Sequence, residues 1–194
     1  MELSQAKAYI IKRLEKELHS NLSYHSLHHV LDVEEAALRL ADAEGISAYE
    51  KDLLLTAVVF HDSGFIYQTK NHEERGCAIV REVLPQFNYT TEEIERICGM
   101  IMATQIPQNP QNLLEQIICD ADLDYLGRDD FWEIGNHLYQ ELSVYGILSN
   151  EKEWNTLQLK FLNSHHYFTQ SAIELRQSTK EDHLKKIEEI VQSY

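Results

Sequence analysis

Apolar residues recur along this chain mostly at intervals of three and four, the spacing that gives a helix one buried stripe. Leu3, Ile10, Leu14 and Leu18 predict a first helix over about 3–18. Val30, Val33, Ala37, Leu40 and Ala41 predict a second, from near Ser26 to Gly45. A third opens on Ser47 and Glu50, spaced as a capping box, and ends near Asp62, where Gly64 is available as a C-cap. A fourth starts near Asn71, with Glu73 and Glu74 in its first turn, and stops before Pro85. A fifth opens on Thr90 and Glu93, again a capping box, and fades before Pro107.

Beyond it the pattern predicts a sixth helix over Asn112 to Leu126, closed by Gly127, and a seventh from Asp129 towards Tyr145, with Gly146 after it. A long helix follows from Ser149 through about Leu175, with an interruption suggested at "NSHHYF", and a short one from Lys180 to Gln192 ends the chain. No repeat, low-complexity tract or linker divides these elements. The expectation is an all-α bundle of about eight or nine helices, forming one domain over 1–194.

Composition narrows the class. With 43% hydrophobic and 25% charged residues in 194, the chain reads as an ordinary globular protein able to bury a large core. Seven Gly and three Pro suit long helices. No apolar run approaches membrane-spanning length, and "MELSQAKAYIIKRLEKEL" is charged and amphipathic, unlike a signal peptide. Cys77, Cys98 and Cys119 form no CxxC pattern, which reads as reduced buried thiols and a cytoplasmic location. A formal charge of −15 disfavours nucleic acid polymers as partners, because a phosphate backbone needs a basic surface. A small anionic substrate stays open, since a bound metal ion reverses the local sign of a site.

Three stretches carry chemistry. In "YHSLHHVLDV", residues 24 to 33, His25 and His29 are four apart and share a face if both are helical, while His28 turns to solvent. In "VVFHDSGF", residues 58 to 65, an apolar run delivers His61 and Asp62 side by side at a helix end. In "IICDADLDYLG", residues 117 to 127, Asp120, Asp122 and Asp124 interrupt a core-directed segment. Carboxylates there are costly unless paired or bound to metal. Asp120 and Asp124 share a face and Asp122 lies opposite, so the three cannot have one role, and physics alone does not say which is a ligand.

Taken together, a His on one helix, an adjacent His-Asp on a later one and an Asp on a third resemble the HD-domain metal-dependent phosphohydrolases, over about residues 20 to 175. "FHDSGF…NHEERG" and "DADLDYLG" look like a bacterial branch of HD phosphohydrolases. The resemblance implies the all-α HD-domain bundle, its core over about 20–175, with the terminal helices packed on it. It implies one divalent metal ion (Mn, Fe, Co, Ni, Zn or Mg) held by His29, His61, Asp62 and Asp122, with Asp62 also in the catalytic set. It implies a proton donor at His25, matching a "YHxxxHxxDV" pattern shared with cyclic-nucleotide phosphodiesterases. The activity implied is hydrolysis of a phosphate mono- or diester of a small, nucleotide-like molecule by metal-bound hydroxide; the alternative is a non-catalytic sensor that binds metal and nucleotide.

The mixed nitrogen and oxygen donor set suits a divalent transition metal with positions left for water. His72 matches a position that binds a second metal in some relatives. Thr104 and Gln105 stand where further histidines would be wanted, which disfavours a dinuclear site. Lys70 and Lys160 are candidates for a substrate phosphate. Glu73 and Glu74 could act as a base or simply complement the helix dipole, and the dipole is the preferred reading; His165 and His166 are read as packing or surface residues, and Phe131, Trp132 and Trp154 as core or pocket wall. Oligomeric state, substrate and metal identity are not encoded in any transferable pattern.

Overall fold

The computed structural model describes all residues 1–194 and contains nine α-helices and no strands. They are α1 (Leu3–Glu17), α2 (Leu27–Ala43), α3 (Ala48–Phe60), α4 (His72–Val83), α5 (Thr91–Ala103), α6 (Leu113–Asp122), α7 (Phe131–Val144), α8 (Glu151–Ser164) and α9 (Gln170–Gln192). Single 3₁₀ turns occupy Ser63–Ile66, Leu84–Phe87 and Asp124–Gly127. Both capping boxes form: Ser47 with Glu50 at α3, and Thr90 with Glu93 at α5. Asn112, Asn150 and Thr169 cap α6, α8 and α9 by accepting a backbone N–H. Gly45 and Gly146 end α2 and α7 with positive φ, 67° and 71°, where a side chain would be strained.

Helix α3 is the hub. Leu53 through Phe60 are all buried, because α1, α2, α5 and α6 surround it. Its apolar composition on every side follows from that position. A main core of 32 buried residues joins α1 through α6. A second, smaller core of seven gathers Tyr24, Leu123, Tyr125, Leu126, Phe131, Leu162 and Ile187. The candidate site lies where the two cores meet.

Four expectations need correction. Helix α2 begins at Leu27, so His25 precedes it, and helical spacing is not what brings His25 near His29. Gly64 does not cap α3 in the left-handed region; a Cβ there would meet the His72 carbonyl oxygen at 1.9 Å, so a glycine permits the close packing of the Ser63–Ile66 turn on α4. Helix α6 stops at Asp122 rather than Leu126, and the chain tightens into the Asp124–Gly127 turn. Finally, the break at "NSHHYF" is real, but α9 then runs unbroken from Gln170 to Gln192. No Gly or Pro lies between 170 and 192 to stop it.

Candidate metal centre and active site

Helix α3 ends by presenting His61 and Asp62, both buried, at the bottom of a cleft. The His61 ring is fixed by its Nδ1, 2.7 Å from the Val58 carbonyl oxygen. Donation from Nδ1 leaves Nε2 as the free lone pair aimed into the cleft. From α2, His29 brings Nε2 to 3.0 Å from Asp122 Oδ1 and 3.6 Å from Asp62 Oδ2. His61 Nε2 lies 3.2 Å from Asp62 Oδ2 and 3.5 Å from Asp122 Oδ1. Donors on His29, His61 and Asp122 all fall within 4.8 Å of one another, with Asp62 beside them.

These spacings fit a shared ion. Ligands bonded to one metal at ~2.0–2.2 Å stand roughly 3–3.5 Å apart. His61 Nε2 and Asp62 Oδ2 are also buried without a hydrogen bond, a cost that a cation between them would remove. Charge tells the same story. Burial opposes ionisation of His61, yet Asp62 and Asp122 raise its pKa well above the ordinary histidine value. Burial likewise opposes the Asp62 and Asp122 carboxylates, but the neighbouring imidazoles hold both below the usual range: His61 and His72 act on Asp62, His29 and His61 on Asp122.

The structure separates the three aspartates. Asp122, last residue of α6, faces His29 and His61. Asp120 accepts from the Phe168 N–H at 2.9 Å and from the Thr169 N–H and hydroxyl at 2.7 Å. It thereby pins the break before α9; burial raises its pKa to about 6 despite those donors. Asp124 accepts from Arg176 at 2.7 Å and Arg39 at 3.0 Å, with Arg128 3.5 Å away. Those roles were invisible in the spacing because the hydrogen-bonding partners, Phe168 and Thr169 for Asp120 and Arg176 and Arg39 for Asp124, lie dozens of residues distant.

His25 stands one layer out from the cluster, its ring 6.2 Å from that of His29 and stacked on Phe65 at 4.1 Å. Its Nδ1 pairs with Glu141 Oε1, and Glu141 Oε2 accepts the Tyr24 and His25 N–H groups at 2.8 and 3.1 Å. These bonds hold the Glu141 carboxyl below its ordinary range against burial, which pushes it up. Glu141, on α7, escaped the sequence reading. A signal existed: Ile134, Leu138 and Glu141 are spaced four and three apart, placing a carboxylate on an apolar stripe.

On the other side of Asp62, His72 Nε2 is 3.4 Å from Asp62 Oδ1 and 3.6 Å from Glu73 Oε1. Burial lowers the His72 pKa, and Asp62 more than reverses it. Glu73 is buried and accepts from Gln105 Nε2 at 3.4 Å, so it is not only a solvated partner of the helix dipole. Lys70 is exposed, and Lys160 is exposed in a separate groove; neither lines the cleft. His28 is exposed and the three cysteines are buried and unbridged, as expected. Phe131 and Trp154 do line the cavity above the cluster, whereas Trp132 is 40% exposed.

A family model, "HD domain", matches residues 26–124. That segment spans more than half of the chain and contains all four of these His and Asp residues, and the chain belongs to the HD domain family. Solved structures share the fold at low identity. A protein from Lactobacillus plantarum is 18% identical with a TM-score of 0.69, covering 100% of this chain and 98% of its own. YpgQ of Bacillus subtilis, solved in complex with ADP, is 16% identical with a TM-score of 0.66, covering 100% and 97%. A predicted HD superfamily hydrolase from an uncultured Thermotogales bacterium is 19% identical with a TM-score of 0.61, covering 97% and 89%. No curated protein matches. No helix is long and apolar enough to cross a membrane.

Proposed function

We propose that this chain is a metal-dependent phosphohydrolase that cleaves a phosphate mono- or diester of a small molecule. The observation that carries the reading is the convergence of His29, His61, Asp62 and Asp122 around one point with the His25 ring beside it. A divalent ion held by these four supplies a Lewis acid for a phosphoryl oxygen and makes water a stronger acid. The chain's own groups do the rest. Glu141 holds His25 through Nδ1, so that Nε2 can carry a proton to the leaving oxygen. His72, with Nε2 beside Asp62, is placed to donate to a phosphoryl oxygen when protonated or to bind a second ion when neutral.

The ADP bound by YpgQ supports nucleotide-like esters as the first class to try. The unit proposed is the whole chain, 1–194, working in the cytoplasm. The test is a screen of phosphorylated metabolites against protein loaded in turn with Mn²⁺, Co²⁺, Ni²⁺, Zn²⁺ and Mg²⁺. Turnover that disappears in His61→Ala supports the proposal. Tight binding of a phosphorylated ligand with no turnover under any metal would overturn it in favour of a sensor.

A further inference from the structure

The cavity above the cluster is built unlike a polyphosphate site. It has a volume of about 310 Å³, and 12 of its 19 lining residues are hydrophobic. That falls in the size range of a pocket able to enclose a small molecule. One end is the site itself, since Asp62, Asp122, His25 and His72 all line it. The other end lies in the second core, walled by Phe131 and by Leu138, Leu142, Trp154 and Phe161 of α7 and α8.

No Lys or Arg lines any part of it. Its charged wall groups outside the histidines are carboxylates: Asp62, Asp122 and Glu73. Each additional phosphate adds about one to two negative charges and needs donors, which proteins ordinarily supply with Arg, Lys or helix N-termini. Here the arginines are elsewhere: Arg39, Arg128 and Arg176 are drawn to Asp124 in a different surface pocket. A second or third phosphate entering this cavity would meet carboxylates, hydrocarbon and the neutral side chains of Tyr24, Tyr125 and Thr104, with no Lys or Arg to balance its charge. An apolar body would instead fill a space that water solvates poorly. Gln158 is the one amide in the wall, and it already donates to Asn155 Oδ1 at 3.3 Å.

We infer that the site selects a substrate with a single phosphoryl group, esterified to an alcohol whose flat aromatic or branched apolar body lodges between α7 and α8. The phosphoryl group sits at the His and Asp end, and the body lies against Trp154, Phe131 and Leu138. This rests on the phosphohydrolase reading and narrows it: aryl or similarly apolar monophosphates are favoured, and nucleoside di- and triphosphates are disfavoured.

The test measures binding and turnover separately. With Mn²⁺ in excess, calorimetry compares 1-naphthylmethylphosphonate with methylphosphonate, and the 5′-methylenephosphonate of adenosine with α,β-methylene-ADP. The expected result is at least tenfold tighter binding of the naphthyl compound than of methylphosphonate, and no gain from the second phosphate. Leu138→Trp, which fills the wall, should bring the naphthyl and methyl affinities together while metal content stays at the wild-type level; Leu142→Trp fills the same wall one turn on. Equal affinity of the two phosphonates for the wild type, or a clear preference for the diphosphate, overturns the inference. Hydrolysis of 1-naphthyl phosphate is scored apart from binding. A naphthyl preference without turnover would leave the pocket assignment standing and remove the phosphohydrolase reading. Turnover of phosphate esters without that preference would do the reverse.

Discussion

Glu141 and His25 lie 116 residues apart in sequence, and Glu141 uses both carboxylate oxygens on the His25 segment. One oxygen takes the imidazole Nδ1 and the other takes two backbone N–H groups. The ring is therefore fixed in direction and in tautomer, with Nε2 left for a proton transfer. This identifies Glu141 as a positioning residue for the proposed proton donor.

Glu141→Gln keeps an oxygen for Nδ1 but removes the carboxylate that receives the ring and both backbone N–H groups together. Its expected effect is a loss of about 10- to 100-fold in kcat on esters with poor leaving groups, by analogy with other residues that orient a working histidine. Activated aryl esters, whose leaving group needs no proton, should fall much less. His25→Ala should go further on the poor leaving groups, by about 10²- to 10⁴-fold, with metal content retained. Steady-state kinetics on a leaving-group series checks both; an equal loss across the series would assign the pair a purely structural role.

The three aspartates of α6 and the turn after it should separate in elemental analysis. Asp122→Ala and Asp62→Ala should lose the metal. Asp120→Ala and Asp124→Ala should keep it and lose stability instead. Without Asp120 the Phe168 and Thr169 donors lose their acceptor, at a cost of about 1–3 kcal/mol. Without Asp124, buried against Arg176 and Arg39, the cost is about 3 kcal/mol, since the guanidiniums keep part of their hydration. Urea titration alongside metal content reads both quantities.

Metal should raise the melting temperature of chelator-treated protein. The cluster leaves His61 Nε2 and Asp62 Oδ2 buried and without hydrogen bonds, and an ion that binds only the folded chain adds ~2.7 kcal/mol at one hundred times its dissociation constant. A melt that Mn²⁺, Zn²⁺ and Co²⁺ all leave unmoved would contradict the ligand assignment.

Stability should carry an acid-side signature from His165. Burial, reinforced by Lys180 and His166 and opposed by Asp122, holds its pKa down at about 3. Lys180 Nζ lies 3.2 Å from Nδ1, so that nitrogen accepts rather than donates. An unfolded histidine titrates near ~6.5. Between those values the unfolded chain binds a proton that the folded chain refuses, so this contribution is present above about pH 6.5 and is lost as pH falls towards 3. Asp120 works in the opposite sense. Its pKa is raised to about 6, so its share is present at low pH and lost as pH rises through that value. The difference between wild type and His165→Gln in urea isolates the histidine: the wild type should lose more stability from pH 7 to pH 5. Parallel pH dependences would show that His165 titrates normally.

Much of the fold could be read locally because helix signals are local. Ser47 with Glu50 and Thr90 with Glu93 are spaced to cap, and they do. The His61–Asp62 doublet was legible only together with His29 and Asp122, through the ordered resemblance to HD-domain proteins, because the pair alone is no rarer than chance. What escaped the sequence is non-local. The grip of Asp120 on Phe168 and Thr169, which pins the break before α9, comes from another helix. Glu141 reads as one more surface glutamate until α7 folds over Tyr24 and His25. Lys70 and Lys160 resembled phosphate ligands because a sequence does not show which surface a flexible side chain will face.

The meeting of two cores at the site has a consequence for how such a protein can change. The proposed metal ligands are rooted in the larger core, on α2, α3 and α6, while the cavity walls and Glu141 hang from α7 and α8 in and around the smaller one. Substitutions on α7 and α8 can reshape what is admitted without moving an atom that would touch the ion. The proposed metal ligands and the apolar cavity wall are thus carried on separate mechanical supports, so that, with Glu141 left in place, new selectivities can be grafted onto an unaltered ligand set.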